Sequence, residues 1–287
     1  MKVGLSACSD GQSLAQKPEN IQLQKILSAM GVESVAAAHI YSRKDAFSGT
    51  DEERAEDLME FYRDDSIDAI YDISGGNLAN GVLKYLDWDL IAGTGKSFWG
   101  YSDLTTILNA VYTKTAKESI LYRIKNVVHA GAVVQRRRFE EYISGENTSL
   151  FDLQYAFLQG QCMAGVVVGG NLRCFLKLAG TEYWPDMEGK ILLLEAYGGE
   201  TGAVATALNQ LELIGVFKQI AGVLLGTFTK YEKAGLDMSV FELLKMHIPK
   251  EMPVAVTAEI GHGADSKAIV IGRCMEFSDG SCDGFKS

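Results

Sequence analysis

Apolar segments alternate with amphipathic segments along residues 1–100, and this alternation restricts the possible folds more than any other feature of the sequence. The apolar segments 3–7, 35–40, 69–73 and 96–99 predict strands. Between them, residues 16–30, followed by Gly31, predict one helix, and the capping box Thr50-Asp51-Glu52-Glu53 opens another, with Leu58, Phe61 and Tyr62 as its buried stripe. Strands that alternate with helices form parallel sheets with helices on both faces. The sequence therefore predicts an α/β fold.

A second set of elements follows a stretch, residues 139–161, in which the alternation is lost. Strands are predicted at 164–168, 191–194, 221–225 and 253–256, and helices at 172–178 and 203–216. The segment Ser144-Gly145-Glu146-Asn147 is the best candidate for a linker. We therefore expect an N-terminal domain, 1–145, a linker, 146–163, and a C-terminal domain, 164–287.

The charge and hydropathy of the chain exclude several classes of protein. The net charge is −10, and the basic run Arg136-Arg137-Arg138 is followed by two glutamates, as on a solvated helix face, so we expect no nucleic-acid partner. No stretch approaches ~20 consecutive apolar residues, which predicts no membrane span. The first residues lack the apolar segment of a signal peptide, so we expect a cytoplasmic protein.

Neither the cysteines nor the glycine-rich segments form a recognised cofactor site. The five cysteines are scattered without a CxxC pair, so we expect reduced thiols, mostly packing residues, and no metal. An apolar strand leads into Gly-Gly-Asn twice, at 75–77 and 169–171, without matching a dinucleotide or Walker motif. Such glycines either form tight turns or let backbone N–H groups approach a ligand closely.

The segment Gly100-Tyr101-Ser102-Asp103-Leu104 predicts an abrupt corner between a strand and a helix. A serine at this corner is exposed above the carboxyl ends of the strands, where open α/β sheets place their ligand sites. The segment resembles the nucleophile elbow G-x-S-x-G without its last glycine, and the N–H of Asp103 would then serve an oxyanion hole. The alternative is that Ser102 or Asp103 is only the N-cap of the next helix.

A nucleophilic serine needs a general base, and the chain has four histidines. His39 is interpreted as structural, His129 is ambiguous, and His247 is expected to face solvent or to cap the end of a helix. His262 lies in a glycine-flanked loop after a predicted strand, where it projects into a cleft or merely decorates the surface. Glu195 ends an aliphatic strand, either as the solvent edge of the sheet or as a buried carboxylate that needs a partner.

Five separated segments resemble, in order, the LD-carboxypeptidase and microcin C immunity protein family of serine peptidases. They are "YDISGGNLANGVLKYLDWDLI", "FWGYSDLTTILNAVY", "VVGGNLRCFLKLAGTEYWPDMEGKILLLEAYGGE", "LNQLELIGVFKQIAGVLLGTFT" and "GHGADSKAIVIG". The resemblance implies Ser102 as nucleophile, His262 as general base and acid, Glu195 as the carboxylate orienting His262, and the N–H groups of Gly76 and Asp103 as oxyanion donors. It also implies an N-terminal parallel-sheet α/β domain and a mixed α/β C-terminal domain, with the active site in the cleft between them.

The resemblance implies a muropeptide substrate, from which the enzyme releases a terminal D-alanine next to an L-configured diamino acid. Arg173, or an exposed backbone N–H, is a candidate for binding the free carboxylate, and Asn77 and Asn171 are further candidates for substrate contacts. The family is often dimeric and needs neither metal nor cofactor, so a homodimer without cofactors is expected.

Two alternatives stay open at this point. An immunity-type hydrolase would cleave an aminoacyl-nucleotide amide and stack the base on an aromatic ring, for which Trp99, Tyr197 and Trp184 are the candidates. A binding protein would instead close on a small ligand without turnover. The chain also departs from the resemblance near the expected substrate: Ser74 stands where an arginine often precedes Gly-Gly, and "KESILYRIKNVVHAGAVV" has no proline.

Overall fold

The computed structural model describes residues 1–129, 131–146 and 149–280. The strands are β1 Lys2–Ser6, β2 Glu33–Ala36, β3 Ala69–Asp72, β4 Ser97–Gly100, β5 Ser119–Leu121, β6 Ala156–Gln159, β7 Cys162–Asn171, β8 Ile191–Ala196, β9 Gly222–Phe228, β10 Val254–Val256, β11 Ile269–Ile271 and β12 Cys274–Ser278. The α-helices are α1 Lys17–Ala29, α2 Asp51–Arg63, α3 Trp88–Gly93, α4 Thr105–Thr115, α5 Val133–Ser144, α6 Leu172–Phe175, α7 Thr201–Leu213, α8 Thr229–Lys233 and α9 Val240–Leu244.

The first sheet is built almost entirely from the N-terminal half of the chain. Its order is β2-β1-β3-β4-β5-β11, and β1 to β5 are parallel to one another. The edge strand β11 comes from near the C-terminus and pairs antiparallel with β5, with Val270 opposite Ile120. The polypeptide therefore crosses between its two halves more than once.

The second sheet is mixed, and it agrees with the fold class expected from the sequence. Its order is β12-β7-β8-β9-β10-β6; β7, β8, β9 and β10 are parallel, and the edge strands β12 and β6 are antiparallel. The aliphatic run of β8 is fully buried, as the parallel interior of a sheet requires. Two α/β sheets with helices, the second of them mixed, confirm the predicted fold class.

Local sequence signals explain several helix boundaries. Thr50 accepts a hydrogen bond from the Glu53 N–H at 3.1 Å, and the Glu53 carboxylate accepts one from the Thr50 N–H at 2.7 Å, so the predicted capping box is confirmed. Gly31 follows α1 with φ 77°, the left-handed conformation that favours glycine after a helix. The sequence predicted a strand over 35–40, but β2 ends at Ala36.

One glycine pair serves packing rather than turning. Gly169 and Gly170 lie inside β7 with φ 100° and 129°, whereas the sequence predicted that the strand ends before them. A Cβ on Gly170 would lie 2.8 Å from Leu121 Cδ1 and 2.9 Å from Thr105 Oγ1. The glycines therefore let the second sheet approach β5 and α4 of the first.

The cores of the two sheets are continuous on one side. A single cluster of buried apolar residues joins Leu58, Phe98 and Leu108 to Val167 and Leu192 of the second sheet. A second cluster fills the other face of the first sheet beneath α1 and α5. We therefore expect the first sheet to depend on the second for its stability.

The predicted linker, 146–163, contains part of the second sheet. Within residues 146–163, β6 pairs with β10, while Asn147 and Thr148 lie outside the described residues, so the domain boundaries stay a prediction.

Cys8, Cys174 and Cys274 are free thiols, as expected. Cys162 is disulfide-bonded, so the expectation of reduced thiols is wrong there, and Cys282 lies outside the described part of the chain. In the described ranges, no helix has the length and apolar character to cross a membrane.

Candidate active site

The corner after β4 is as abrupt as the sequence predicts. Ser102 has φ 55°, a left-handed conformation that is costly for a residue with a side chain, and begins a short 3-10 helix that leads into α4. Gly100 makes the corner possible, because a Cβ there would lie 2.6 Å from Leu104 Cβ. Leu104, not Ser102 or Asp103, occupies the N-cap position of α4, and it makes no side-chain cap hydrogen bond. The N-cap interpretation is therefore wrong.

His262 connects the corner to the second half of the chain. Its Nε2 lies 3.1 Å from Ser102 Oγ, and its Nδ1 lies 2.6 Å from Glu195 Oε2. Gly261 precedes it with φ 143°, and a Cβ at that position would lie 2.0 Å from Thr227 Oγ1. Only glycine fits there, so the backbone itself fixes where the imidazole enters the cleft.

Glu195 lies within β8, one residue before its end, and is 1% exposed. The sequence predicted a strand over 191–194, but β8 continues beyond it because Glu195 is paired with Asn171 of β7. The Asn171 amide donates to Glu195 Oε1 at 3.0 Å, and the other carboxylate oxygen faces His262. Both oxygens of this buried carboxylate are therefore partnered, as burial of a charge requires.

The loop 74–77 lies beside Ser102. A Cβ on Gly75 would be 4.0 Å from Ser102 Oγ, so the loop backbone passes close to the hydroxyl. Gly76 has φ 134°, and a Cβ on it would lie 2.1 Å from the carboxyl carbon of Asp10. The same Asp10 carboxylate accepts a hydrogen bond from the Asn77 N–H at 2.8 Å. This arrangement holds the backbone of the loop against the corner.

The carboxylate of Asp103 is used structurally. It is fully buried and accepts hydrogen bonds from Ser9 Oγ at 2.7 Å and from the Ala79 N–H at 2.9 Å. Lys177 forms an ion pair with its other oxygen. Because the side chain is fully engaged, a role for Asp103 toward a ligand is left to its backbone N–H.

The corner and the loop border a cavity of about 870 Å³ that lies between the two sheets. The three predicted substrate-binding residues all line it. Arg173 donates to Asn77 Oδ1 and to the Gly76 carbonyl, each at 2.9 Å, so its guanidinium is already engaged. Asn171 holds Glu195, as described above. Arg173 and Asn171 therefore hold neighbouring groups of the site in position, and both also line the cavity.

Sequence reasoning missed Tyr101 and Arg123 on the cavity wall, and it named Tyr197 only as a candidate for stacking on a nucleotide base. The rings of Tyr101 and Tyr197 flank His262 at centroid distances of 5.1 and 5.3 Å. Burial raises the pKa of the Tyr101 hydroxyl, and the neighbouring charge of Arg123 opposes this shift. Tyr101 directly precedes the corner serine, and this adjacency is the signal that could have found it.

The other aromatic and histidine candidates lie elsewhere. Trp99 is buried in the core and Trp184 packs on Phe175, whereas Tyr197 is half exposed on the cavity wall. His39 pairs with Asp57 at 3.0 Å and His247 with Glu212 at 2.6 Å. Residues 1–129, 131–146 and 149–280 contain no group of three or more histidine, cysteine or acidic side chains placed to hold a metal ion.

The geometry is that of a hydroxyl, an imidazole and a carboxylate linked by hydrogen bonds. An imidazole between a carboxylate and a hydroxyl can accept the hydroxyl proton, and the carboxylate stabilises the imidazolium that forms. The arrangement is recognised by geometry and not by sequence order. It is therefore suited chemically to nucleophilic attack on a carbonyl carbon.

Several known proteins are similar to this chain in sequence or in fold. The chain is 27% identical over 262 residues to the "probable murein peptide carboxypeptidase" of Bacillus subtilis, covering 86% of this chain and 80% of that protein. It is 26% identical over 248 residues to the microcin C7 self-immunity protein MccF of Escherichia coli, covering 75% of this chain and 72% of that protein. Its fold is similar to the crystal structure of muramoyltetrapeptide carboxypeptidase from Oxalobacter formigenes, with a TM-score of 0.82, 22% identity, and 97% and 95% of the two chains covered.

Models of a peptidase family match most of the chain. Residues 3–122 match the N-terminal domain of LD-carboxypeptidases, and residues 164–277 match the C-terminal domain. The two matched regions contain Ser102 in the first and Glu195 and His262 in the second. The chain therefore belongs to the LD-carboxypeptidase family of peptidases.

Proposed function

We propose that this chain is a serine LD-carboxypeptidase that releases the terminal D-alanine from murein tetrapeptides. The observation that carries the proposal is the hydrogen-bonded series from Ser102 Oγ to His262 Nε2 and from His262 Nδ1 to Glu195 Oε2. Family membership supports peptide hydrolysis, and the names of the relatives from Bacillus subtilis and Oxalobacter formigenes support a murein substrate.

In the first half of the reaction, Ser102 Oγ attacks the amide carbonyl carbon while its proton passes to His262 Nε2. Glu195 holds the imidazole by Nδ1 and stabilises its positive charge. The N–H groups of Gly76 and Asp103 donate to the oxyanion, and each donor contributes about 3 kcal/mol to transition-state stabilisation. The imidazolium then protonates the departing nitrogen of D-alanine, which leaves an acyl-enzyme on Ser102.

In the second half, water hydrolyses the acyl-enzyme. His262 accepts a proton from the water, whose oxygen attacks the ester carbonyl, and the same N–H groups stabilise the second oxyanion. The imidazolium returns the proton to Ser102 Oγ as the ester bond breaks. The products are the murein tripeptide with a free carboxylate and the regenerated hydroxyl.

The decisive variant is Ser102→Ala. We expect kcat for D-alanine release from murein tetrapeptide to fall by roughly 10⁴-fold or more, because the nucleophile is lost. Ser144→Ala, on the exposed face of α5, is the matched control and should keep full activity. Circular dichroism should show the same fold for both variants. Retention of D-alanine release by folded Ser102→Ala would refute the proposed mechanism.

Hydrolysis of an aminoacyl-nucleotide amide is the second candidate, and the position of Tyr197 favours it. The ring is 50% exposed and lines the cavity beside His262, so a nucleotide base could stack on it. The relative from Escherichia coli is named a microcin C7 self-immunity protein. Parallel assays with murein tetrapeptide and aminoacyl sulfamoyl adenosine distinguish the two, since cleavage of the adenosine compound alone would favour the second candidate.

The remaining expectations stay predictions. They are a cytoplasmic location, a homodimer, and catalysis without metal or cofactor. Sedimentation equilibrium measures the oligomeric state, and activity after exhaustive dialysis against a chelator tests the metal requirement. Fractionation of cells that express the chain tests its location.

A further inference from the structure

We propose that Arg123 binds the free α-carboxylate of the residue that the enzyme releases, an inference that rests on the proposed carboxypeptidase function. The guanidinium would form paired N–H···O bonds with the terminal carboxylate of the substrate. Arg123, and not the predicted Arg173, would then make the enzyme select peptides with a free C-terminus.

The fold brings Arg123 to the corner serine through the pairing of two parallel strands. Gly100 of β4 is paired with Leu121 of β5, and the Tyr122 N–H donates to the Gly100 carbonyl at 2.8 Å. Ser102 and Arg123 follow this pair by two residues each, so both segments leave the sheet at the same carboxyl edge. There the guanidinium carbon of Arg123 lies 5.3 Å from the centre of the Tyr101 ring, next to Ser102.

The partly buried guanidinium of Arg123 lies over the Tyr101 ring and has no anionic or hydrogen-bonding partner among the described residues. Other cations at the site are engaged. Arg173 donates to Asn77 and Gly76, and Lys125 donates to Gln12 Oε1 at 2.6 Å and to Glu19 Oε2 at 2.9 Å. A planar guanidinium carries five N–H donors whose geometry matches a carboxylate. Arg123 is thus a cation at this site with its donors free.

Arg123 also lies on the wall shared by two cavities. The cavity of about 870 Å³ adjoins a smaller one of about 330 Å³, and Gly75, Tyr101 and Arg123 line both. Gly75 and Tyr101 are also the neighbours of Ser102 at the corner. A bond attacked by Ser102 would thus have room for the acyl part in the larger cavity and for a small departing amino acid near the smaller one.

The lining of the smaller cavity is polar and suits a small charged group. Gln12, Gln16 and Lys125 line it together with the carboxylate of Asp10, which is hydrogen-bonded to the Asn77 N–H. Ser74, one of the two departures from the family pattern noted in the sequence, lines it as well. The other departure is the proline-free segment that contains Arg123. Both departures therefore meet at one cavity beside Ser102.

The test compares two substrates that differ only at the terminal carboxylate. One is the murein tetrapeptide and the other is its C-terminal D-alaninamide, in which the negative charge is removed. For Arg123→Met, we expect kcat/KM for the acid to fall roughly 10- to 100-fold, mainly through KM, because a charge-assisted contact is lost. For the amide we expect kcat/KM to change less than about threefold, since this substrate has no carboxylate for Arg123 to bind.

Two further variants sharpen the comparison. Arg123→Lys keeps the charge but loses the paired geometry, so we expect it to recover part of the preference for the acid. Arg173→Met should lower the rates for acid and amide by the same factor, because its guanidinium supports the Gly76–Asn77 loop. Hydrolysis of the amide reports in each case that the variant is folded and active.

The outcomes separate the two claims. If the wild-type enzyme prefers the acid and Arg123→Met abolishes that preference, the inference is supported. If the wild-type enzyme releases D-alanine but Arg123→Met changes acid and amide equally, or neither, the inference is overturned while the proposed function stands. If the wild-type enzyme releases no D-alanine from the tetrapeptide, the proposed function and the inference that depends on it are both overturned.

Discussion

At the residue scale, the site depends on positions where a side chain is absent. Gly76 combines a positive φ with contact to Asp10, and Gly261 is equally confined by Thr227. These glycines fix the two backbone segments that carry the proposed oxyanion donor and the imidazole. A larger residue would displace the segment and thereby misplace the group that the mechanism needs.

Gly76→Ala tests this requirement. The added Cβ would overlap the Asp10 carboxylate at 2.1 Å, so the loop must shift and its N–H must leave the oxyanion position. We expect kcat to fall roughly 100-fold or more, the effect of losing one oxyanion donor. Gly95→Ala is the control, because a Cβ there meets nothing within 4 Å. An unchanged kcat for Gly76→Ala would remove this loop from the mechanism.

A residue's position can be predicted from the sequence where it depends on the residues directly before and after it. The corner at Ser102 follows from an apolar strand, a glycine and a helical pattern in immediate succession. The position of Arg123 depends instead on the register between β4 and β5, and the partner of Glu195 depends on the register between β7 and β8. Strand registers are set by tertiary pairing, so neither contact could be predicted from one sequence.

At the scale of elements, the side-chain amide of Asn109 connects α4 to β7 through two hydrogen bonds. Asn109 Nδ2 donates to the Gly169 carbonyl at 2.9 Å, and the Gly169 N–H donates to Asn109 Oδ1 at 2.8 Å. The side chain therefore acts as a substitute strand partner for a glycine that has no room for a Cβ. The sequence predicted this glycine pair as a turn or as ligand donors, because the packing of α4 against it is a long-range contact.

Asn109→Ala measures the strength of this contact. The substitution leaves the buried N–H and carbonyl of Gly169 without partners, so we expect the free energy of unfolding to fall by about 2–4 kcal/mol. Urea denaturation followed by circular dichroism gives the value. Lys114→Ala, on the same helix, removes an exposed ion pair with Glu182 and a contact with the Tyr183 ring, and should leave the free energy of unfolding nearly unchanged. Equal losses for the two variants would contradict the role assigned to Asn109.

At the scale of the whole molecule, the two sheets share one apolar core, and we expect them to unfold together. Their apolar residues share a cluster, and β11 carries residues from beyond the second sheet's main strands back to the edge of the first. The alternation of strands and helices predicted the fold class, since it depends on local periodicity. The return of β11 was not predicted, because three apolar residues do not reveal which of two sheets they join.

A fragment of residues 1–163 tests this coupling. It lacks β11, β7 apart from its first residues, and most of the shared core, so we expect no cooperative unfolding transition in urea. The full chain, measured in parallel, should unfold cooperatively. A sharp transition of the fragment with native-like circular dichroism would show that the first sheet folds without the second.

The late position of β11 has a consequence for the newly made protein. Synthesis proceeds from the N-terminus, and domains generally fold as units while the chain emerges from the ribosome. Here the edge of the sheet that carries Ser102 is completed only by Ile269–Ile271, shortly after His262 has been added. A nascent chain that stalls earlier would therefore lack both the closing strand and the imidazole, so hydrolytic activity cannot begin before Ile271 has been added.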